Sequence, residues 1–268
     1  MTTDRLYRVR REDIPHVIRT LTECFSEDPL YRQLIPEPEL RERTLPEIFA
    51  CDAEEMLSSC NVYADGPEVN GLMIVDDETE PYDPLRYFST EAFYALKTDA
   101  SLIQEDWSLK TLWNFFLGRQ YLNSRWTEEL PDERMHIIYF AVRPGLRGSG
   151  IAHRLMAPVL DYADERGLLL SLETHNPANL PLYRHYGFCM HKTLQSHFSL
   201  TQYCLVRAPR TALYRARRAG GRAAAGLPHS AAAPGAPCPA PSEKAPEAAL
   251  PDSPAAPGCA PEFSAECV

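Results

Sequence analysis

A glycine-spaced turn at the mouth of a helix is the part of this chain best equipped for chemistry. Residues 136–142 read as a strand that runs into Arg143-Pro144-Gly145-Leu146-Arg147-Gly148-Ser149-Gly150-Ile151-Ala152. A helix over about 152–166 follows, then a second strand over 168–173 and a short helix on Leu182-Tyr183-Arg184-His185-Tyr186-Gly187-Phe188. Gly148 and Gly150 let backbone N–H groups approach a ligand closely where the helix begins. Those N–H groups have no intrahelical acceptors and the helix dipole is positive there, so the turn is suited to an anion. Arg147 adds a full charge. Glycines so spaced can also merely shape a tight turn. The strand before, the helix after and Arg147 beside them favour an anion, of the kind an acyl carrier offers in its pyrophosphate.

The run resembles the GCN5-related N-acetyltransferase (GNAT) superfamily in two motifs that stand in order. The first is a strand ending in Val-x-Pro, then Gln or Arg, two residues, Gly, one residue, and Gly or Ala at the start of a helix. It stands here as Val142-Arg143-Pro144 and Arg147-Gly148-Ser149-Gly150-Ile151-Ala152. The second stands as Asn176-Pro177-Ala178-Asn179 followed by Leu182-Tyr183 to Gly187-Phe188. The specific motifs cover about a quarter of the chain, and a looser match extends to about Arg207.

The resemblance implies an α/β (α+β) fold with a mixed central sheet flanked by helices, and acetyl-CoA as co-substrate without a metal. It implies that Arg147, Gly148, Ser149, Gly150, Ile151 and Ala152 hold the pyrophosphate. The backbone near Phe140, Ala141 and Val142, on a strand that splays from its neighbour, would meet the pantetheine and the acetyl oxygen. Tyr183 stands where family members often place a phenol near the thioester sulfur. A phenol is protonated at neutral pH and can donate to a departing thiolate, so Tyr183 is the expected general acid and Tyr186 a weaker rival. Asn179 is expected at the cofactor; Asn176 either caps the helix start, with Pro177 at its first position, or bonds the pantetheine. Glu173 is the candidate base, directly or through water, with an ordinary structural carboxylate as the alternative. His175 would titrate near neutrality as a solvated loop residue; His136 and His153 have less claim.

The composition narrows the rest. The chain has 268 residues, 44% of them hydrophobic, enough for one domain with a substantial core. A net charge of −10 argues against general nucleic-acid binding, which needs a basic face. The eight cysteines form no CxxC pair and no Cys/His metal spacing, as in a reduced, cytoplasmic protein. Neither a signal peptide nor an apolar run long enough for a membrane span stands in the sequence. A monomer or homodimer is expected.

Other segments must position the turn. Leu6–Val9 alternates like a strand, and Asp13–Ser26 reads as a helix, with Asp13 as its cap and Ile14, Val17, Ile18, Leu21 and Phe25 on one face. A second helix is expected over about 39–58, with Leu45, Ile48, Phe49, Met56 and Leu57 on its apolar side. Strands over 61–64 and 69–75 join through Asp65-Gly66-Pro67. About sixty residues then separate Val75 from His136, more than a hairpin needs, so 80–133 is expected to hold a helical insertion, with helices over 89–97 and 108–122. It would lie beside the substrate side, its aromatics forming a satellite core. Residues 188–198 and 199–206 read as a closing antiparallel pair. Residues 1–207 thus form the expected domain, 208–222 a basic stretch continuing a run from Arg207, and 223–268 a Pro/Ala-rich segment too poor in large apolar residues to fold.

These readings point to an enzyme that moves an acetyl group to an amine of a small molecule or peptide. The alternative from another class is a catalytically weak acyl-CoA-binding sensor domain. A dinucleotide fold is third, since no acidic ribose-binding residue stands at the expected strand end. The acceptor is left open; Phe25, Asp28 and Tyr31 are expected in its pocket wall.

Overall fold

Seven strands build one sheet: β1 (Tyr7–Arg8), β2 (Asn61–Ala64), β3 (Gly71–Asp77), β4 (Arg134–Val142), β5 (Leu169–Thr174), β6 (Cys189–Gln195) and β7 (Thr201–Arg207). Their spatial order is β1-β2-β3-β4-β5-β7-β6. Among the described residues only β4 and β5 pair in parallel; the other pairs are antiparallel. The computed structural model describes residues 1, 3–79, 109–118, 124–131, 133–195 and 198–210. The expected helix over 89–97, most of the basic stretch and the Pro/Ala-rich segment lie outside the described residues.

Side-chain alternation along β3 assigns the two faces of the sheet. Leu72 and Ile74 enter an apolar cluster with Val17, Leu21, Leu45 and Phe49, whereas Met73 and Val75 enter a second with Phe140, Leu155 and Val159. Both faces of β3 are therefore covered, and the strand reads as a continuous apolar run. The first cluster belongs to α1 (Ile14–Phe25), α2 (Pro29–Leu34) and α3 (Pro38–Ser59); the second belongs to α5 (Ile151–Arg166) and α6 (Leu180–His185). A further helix, α4 (Leu109–Gly118), lies in the stretch between β3 and β4. It docks on α2 through Asn114, whose Nδ2 donates to the Leu34 carbonyl at 3.2 Å. Among the described residues no helix is long and apolar enough to cross a membrane.

Several local expectations need correction. Asp13 makes no side-chain cap to α1; its carboxylate turns back to accept from the Arg10 amide at 2.8 Å and the Tyr7 hydroxyl at 2.9 Å. The six-residue α2 went unread because it is too short to show a period. Arg207, which opens the basic run, is buried, and its guanidinium meets both oxygens of Asp164 at 2.9 and 2.6 Å, tying β7 to α5. The loops around α2 are held by a buried Arg41, which donates to the carbonyls of Ser26, Ile35 and Pro36.

Gly71 sets how closely α5 approaches the sheet. A Cβ there would lie 2.9 Å from Leu155 Cδ1 and closer still to Ile151 Cγ2. Ile151 is β-branched and has few rotamers to retreat into. Gly71→Ala is expected to destabilise the fold by about 1–3 kcal/mol through overpacking and to push the first turn of α5 outward. Thermal melts would check this: Tm should fall.

Candidate active site

Gly148 and Gly150 have φ of +78° and +80°, a left-handed backbone that disfavours any side chain. Gly150 is the N-cap of α5, and Arg154 N–H returns to its carbonyl at 3.0 Å. Among the described residues, no acceptor meets the amides of Gly148, Gly150, Ile151, Ala152 or His153. Behind the turn, Arg143 acts as a clamp. Its Nε and Nη2 meet the Glu23 carboxylate at 2.8 and 2.9 Å, and its Nη1 donates to Asn70 Oδ1 at 3.1 Å. Arg147 is half-buried and leans back on the end of β4, its Nε 3.4 Å from the Val142 carbonyl.

β4 and β5 part in front of this turn. Their pairing runs from Arg134↔Leu169 to Ile137↔Leu172 and then stops. Beyond it β4 stays with β3, while Glu173 and Thr174 of β5 continue against Cys204 and Tyr203 of β7. A bulge at Ile138 marks the parting, since Val75 pairs with Ile137 and Ile74 with Tyr139. Bulges bend and twist a strand, and this one puts Ile138 and Tyr139 against the same apolar cluster. Further along, the Arg143 amide donates to the Asn70 carbonyl at 3.0 Å. Antiparallel alternation then directs the Ala141 and Tyr139 amides at β3, and those of Phe140 and Val142 at the gap left by β5.

Glu173 directly follows the last β4–β5 pair, and Tyr183 packs in the apolar cluster that holds Phe140 and Val142. Tyr183, on α6, is buried, packs edge-on against Phe188 and makes no hydroxyl hydrogen bond among the described residues. Burial, and then the carboxylates of Asp28 and Glu173, push its phenol above the ordinary value, so it stays protonated. Tyr186 is buried in the apolar cluster and stacks on His153 at 6.3 Å. Glu173 accepts from Ser124 Oγ at 2.7 Å and Trp126 Nε1 at 2.9 Å, and its Oε2 lies 3.2 Å from His136 Nε2. Burial would raise this carboxyl, but His136 and the two other donors outweigh burial and hold it below the usual range. For His136, burial lowers the imidazole, yet Glu173 lifts it above its ordinary value. Its Nδ1 meets Ser171 Oγ at 2.9 Å, so both ring nitrogens are engaged.

The remaining candidates sit nearby. Asn176 caps the turn that opens on Pro177, accepting from the Ala178 amide at 3.0 Å. Asn179 donates to Thr174 Oγ1 at 3.3 Å, while its Oδ1 is buried with no hydrogen-bond partner among the described residues. The expectation for His175 is corrected: burial pushes it down to about 4, so it does not titrate near neutrality.

Sequence reasoning missed one polar cluster. Tyr139 donates to Asp52 Oδ2 at 2.6 Å, and the hydroxyls of Tyr31 and Tyr139 lie 3.3 Å apart. Asp52 stands three residues after Phe49 and four after Ile48, on the buried stripe of α3. A carboxylate where the helical period calls for an apolar residue was the available signal.

A sequence profile described as the acetyltransferase (GNAT) family matches residues 77–188. An uncharacterized N-acetyltransferase from Schizosaccharomyces pombe is 28% identical over 67 residues, 25% of this chain and 27% of that protein. The chain thus matches about a quarter of the length of that curated relative. A crystal structure described as histone acetyltransferase HPA2 and related acetyltransferase, from Corynebacterium glutamicum, superposes with a TM-score of 0.53 at 18% identity, covering 77% of this chain and 96% of the other. That likeness is one of fold. Residues 77–188 thus match the GNAT acetyltransferase family in sequence, and the chain shares the fold of a solved acetyltransferase.

Proposed function

We propose that the protein transfers an acetyl group from acetyl-CoA to an amine, by direct attack within the gap between β4 and β5. The observation that carries this reading is the strand divergence itself, which leaves two β4 amides unpaired by β5 immediately before a turn rich in free N–H groups. The residues suit such a co-substrate. In the run Arg147 to Ala152, the amides of Gly148, Gly150, Ile151 and Ala152, with the Arg147 charge, match a pyrophosphate. Phe140, Ala141 and Val142 supply a strand edge that β5 leaves unpaired, suited to the pantetheine amides, and Asn179 Oδ1, buried with no hydrogen-bond partner among the described residues, suits a donor of the same co-substrate. Asn176 serves by fixing the turn that carries Asn179.

In this reading the Phe140 and Val142 amides polarise the acetyl carbonyl. Oxyanion donors of this kind are typically worth about 2.7–4 kcal/mol. Tyr183 donates its proton to the sulfur as the carbon–sulfur bond breaks. A phenol this far above its normal pKa would be a poor acid toward a thiolate in water. Desolvation disfavours a thiolate as it does a phenolate, so a sulfur held beside Tyr183 in the same buried cleft would be raised as well. Glu173, with both oxygens engaged, contributes by keeping the Tyr183 phenol neutral.

Incubating the protein with acetyl-CoA and a panel of amines tests the reading, with free thiol and acetylated product both measured. Amine-dependent thiol release is expected. Thiol release that ignores the amine would contradict it. Arg147→Ala is expected to weaken acetyl-CoA binding about tenfold, the loss of one charge-assisted contact, while turnover at saturation is kept.

A further inference from the structure

We propose that Asp52, with the phenols of Tyr139 and Tyr31 and the rings of Phe25 and Phe49 around them, binds the acceptor as a primary alkylammonium ion with an apolar stem and takes the proton that frees its nitrogen. This rests on the acetyl-transfer reading above and names the class of acceptor for it.

The geometry suits a cation. Four rings close around one another: Phe25 lies 6.2 Å from Tyr31, 6.0 Å from Phe49 and 5.5 Å from Tyr139, and Tyr31 lies 5.3 Å from Phe49. Phe49 is fully buried, whereas Phe25, Asp52 and Tyr139 keep partial exposure. Within this apolar wall stands one carboxylate, held by the Tyr139 hydroxyl at 2.6 Å. Among the described residues no lysine or arginine pairs with it. A carboxylate among aromatic rings without a counter-ion is costly, and a ligand ammonium would relieve that cost. Aromatic faces beside it attract the same charge and exclude water from an apolar stem.

The same cluster is linked to the transfer site through β4 and Asp28. Tyr139 is the neighbour of Phe140, whose amide faces the gap, and the Asp28 carboxylate acts on both Tyr31 and Tyr183. Burial lifts the Asp52 carboxyl to about 6, against the lowering effect of the Tyr139 hydrogen bond. A base near the working pH is both ionised and willing to accept a proton. Glu173, held low and fully engaged, is the opposite case.

The step balances with two protons. Asp52 takes one from the ammonium, leaving a neutral amine whose lone pair forms the carbon–nitrogen bond to the acetyl carbon. The carbon–sulfur bond breaks and Tyr183 protonates the sulfur. The second amine proton leaves the amide nitrogen and restores the Tyr183 phenol, while the proton on Asp52 passes to solvent.

The test compares Asp52→Asn with the unaltered protein, using butylamine and phenethylamine as ammonium acceptors and aniline as an amine neutral at pH 7. Affinity for acetyl-CoA is measured alongside. For the unaltered protein, kcat/KM should favour the two ammonium acceptors, and Asp52→Asn should lower it about 10²-fold for them with acetyl-CoA affinity kept within about twofold. Values for Asp52→Asn within about twofold of the original would overturn the proposal while leaving acetyl transfer intact. So would a preference for aniline. Absence of transfer to any amine would overturn both readings together. If Asp52→Asn loses acetyl-CoA affinity through misfolding, Tyr139→Phe decides: a selective fall in kcat/KM for the ammonium acceptors supports the proposal, and no change overturns it.

Discussion

Tyr183→Phe is expected to lower kcat by about 10²–10³-fold while leaving the affinity for acetyl-CoA and the melting temperature almost unchanged. The substitution removes only the hydroxyl, which makes no hydrogen bond among the described residues. The ring keeps its contact with Phe188 at 6.1 Å, so little packing is lost. A proton donor has a further signature. A thiolate of low basicity leaves without help, so an acetyl donor bearing an aryl thiol should be far less sensitive to the substitution than acetyl-CoA. Equal falls with both donors would show that Tyr183 only packs against the substrate.

The second large effect concerns the buried Glu173–His136 pair. Glu173→Gln leaves an imidazolium without its counter-charge and is expected to cost about 3–5 kcal/mol of stability. At about 2–4 °C per kcal/mol for a domain of this size, the melting temperature should fall by roughly 6–20 °C. The pH dependence follows from the two shifts. Glu173 is held below its unfolded value of 4.5, so its contribution is present above that value and disappears as the pH falls through the folded pKa. His136 is lifted above its unfolded value of 6.5, so its contribution is full below that value and disappears as the pH rises through the folded pKa. The stability gap between the original protein and Glu173→Gln should therefore be widest between 4.5 and 6.5 and shrink on both sides. Denaturant melts across this range check it; a gap that ignores pH would remove the ion pair from the account.

What was legible in the sequence was what local chemistry dictates. Gly148 and Gly150 are read from the chain because a left-handed backbone before a helix selects glycine wherever it occurs. The strand–turn–helix order around them is equally local, and so is the Asn176 cap. The opening between β4 and β5 was an expectation drawn from resemblance, because the run Ile137-Ile138-Tyr139-Phe140 is apolar throughout and gives no sign that its alternation shifts at Ile138. Glu173 was picked out without its partners. Ser124, Trp126 and His136 come from other parts of the chain and meet it only through the pairing of β4 with β5 and the return of the chain before β4. Asp52 was overlooked because the apolar residues around it, Ile48 and Phe49 among them, carry the helical period that its charge interrupts.

The central claim is that amides at the start of α5 hold a pyrophosphate. Calorimetric titration of the protein with coenzyme A and, in parallel, with pantetheine, which lacks that group, tests it most directly. The account predicts saturable binding of one coenzyme A per chain, at least about 10²-fold tighter than pantetheine, since several charge-assisted contacts are lost together. Equal affinities for the two, or no uptake of coenzyme A by folded protein, would contradict it.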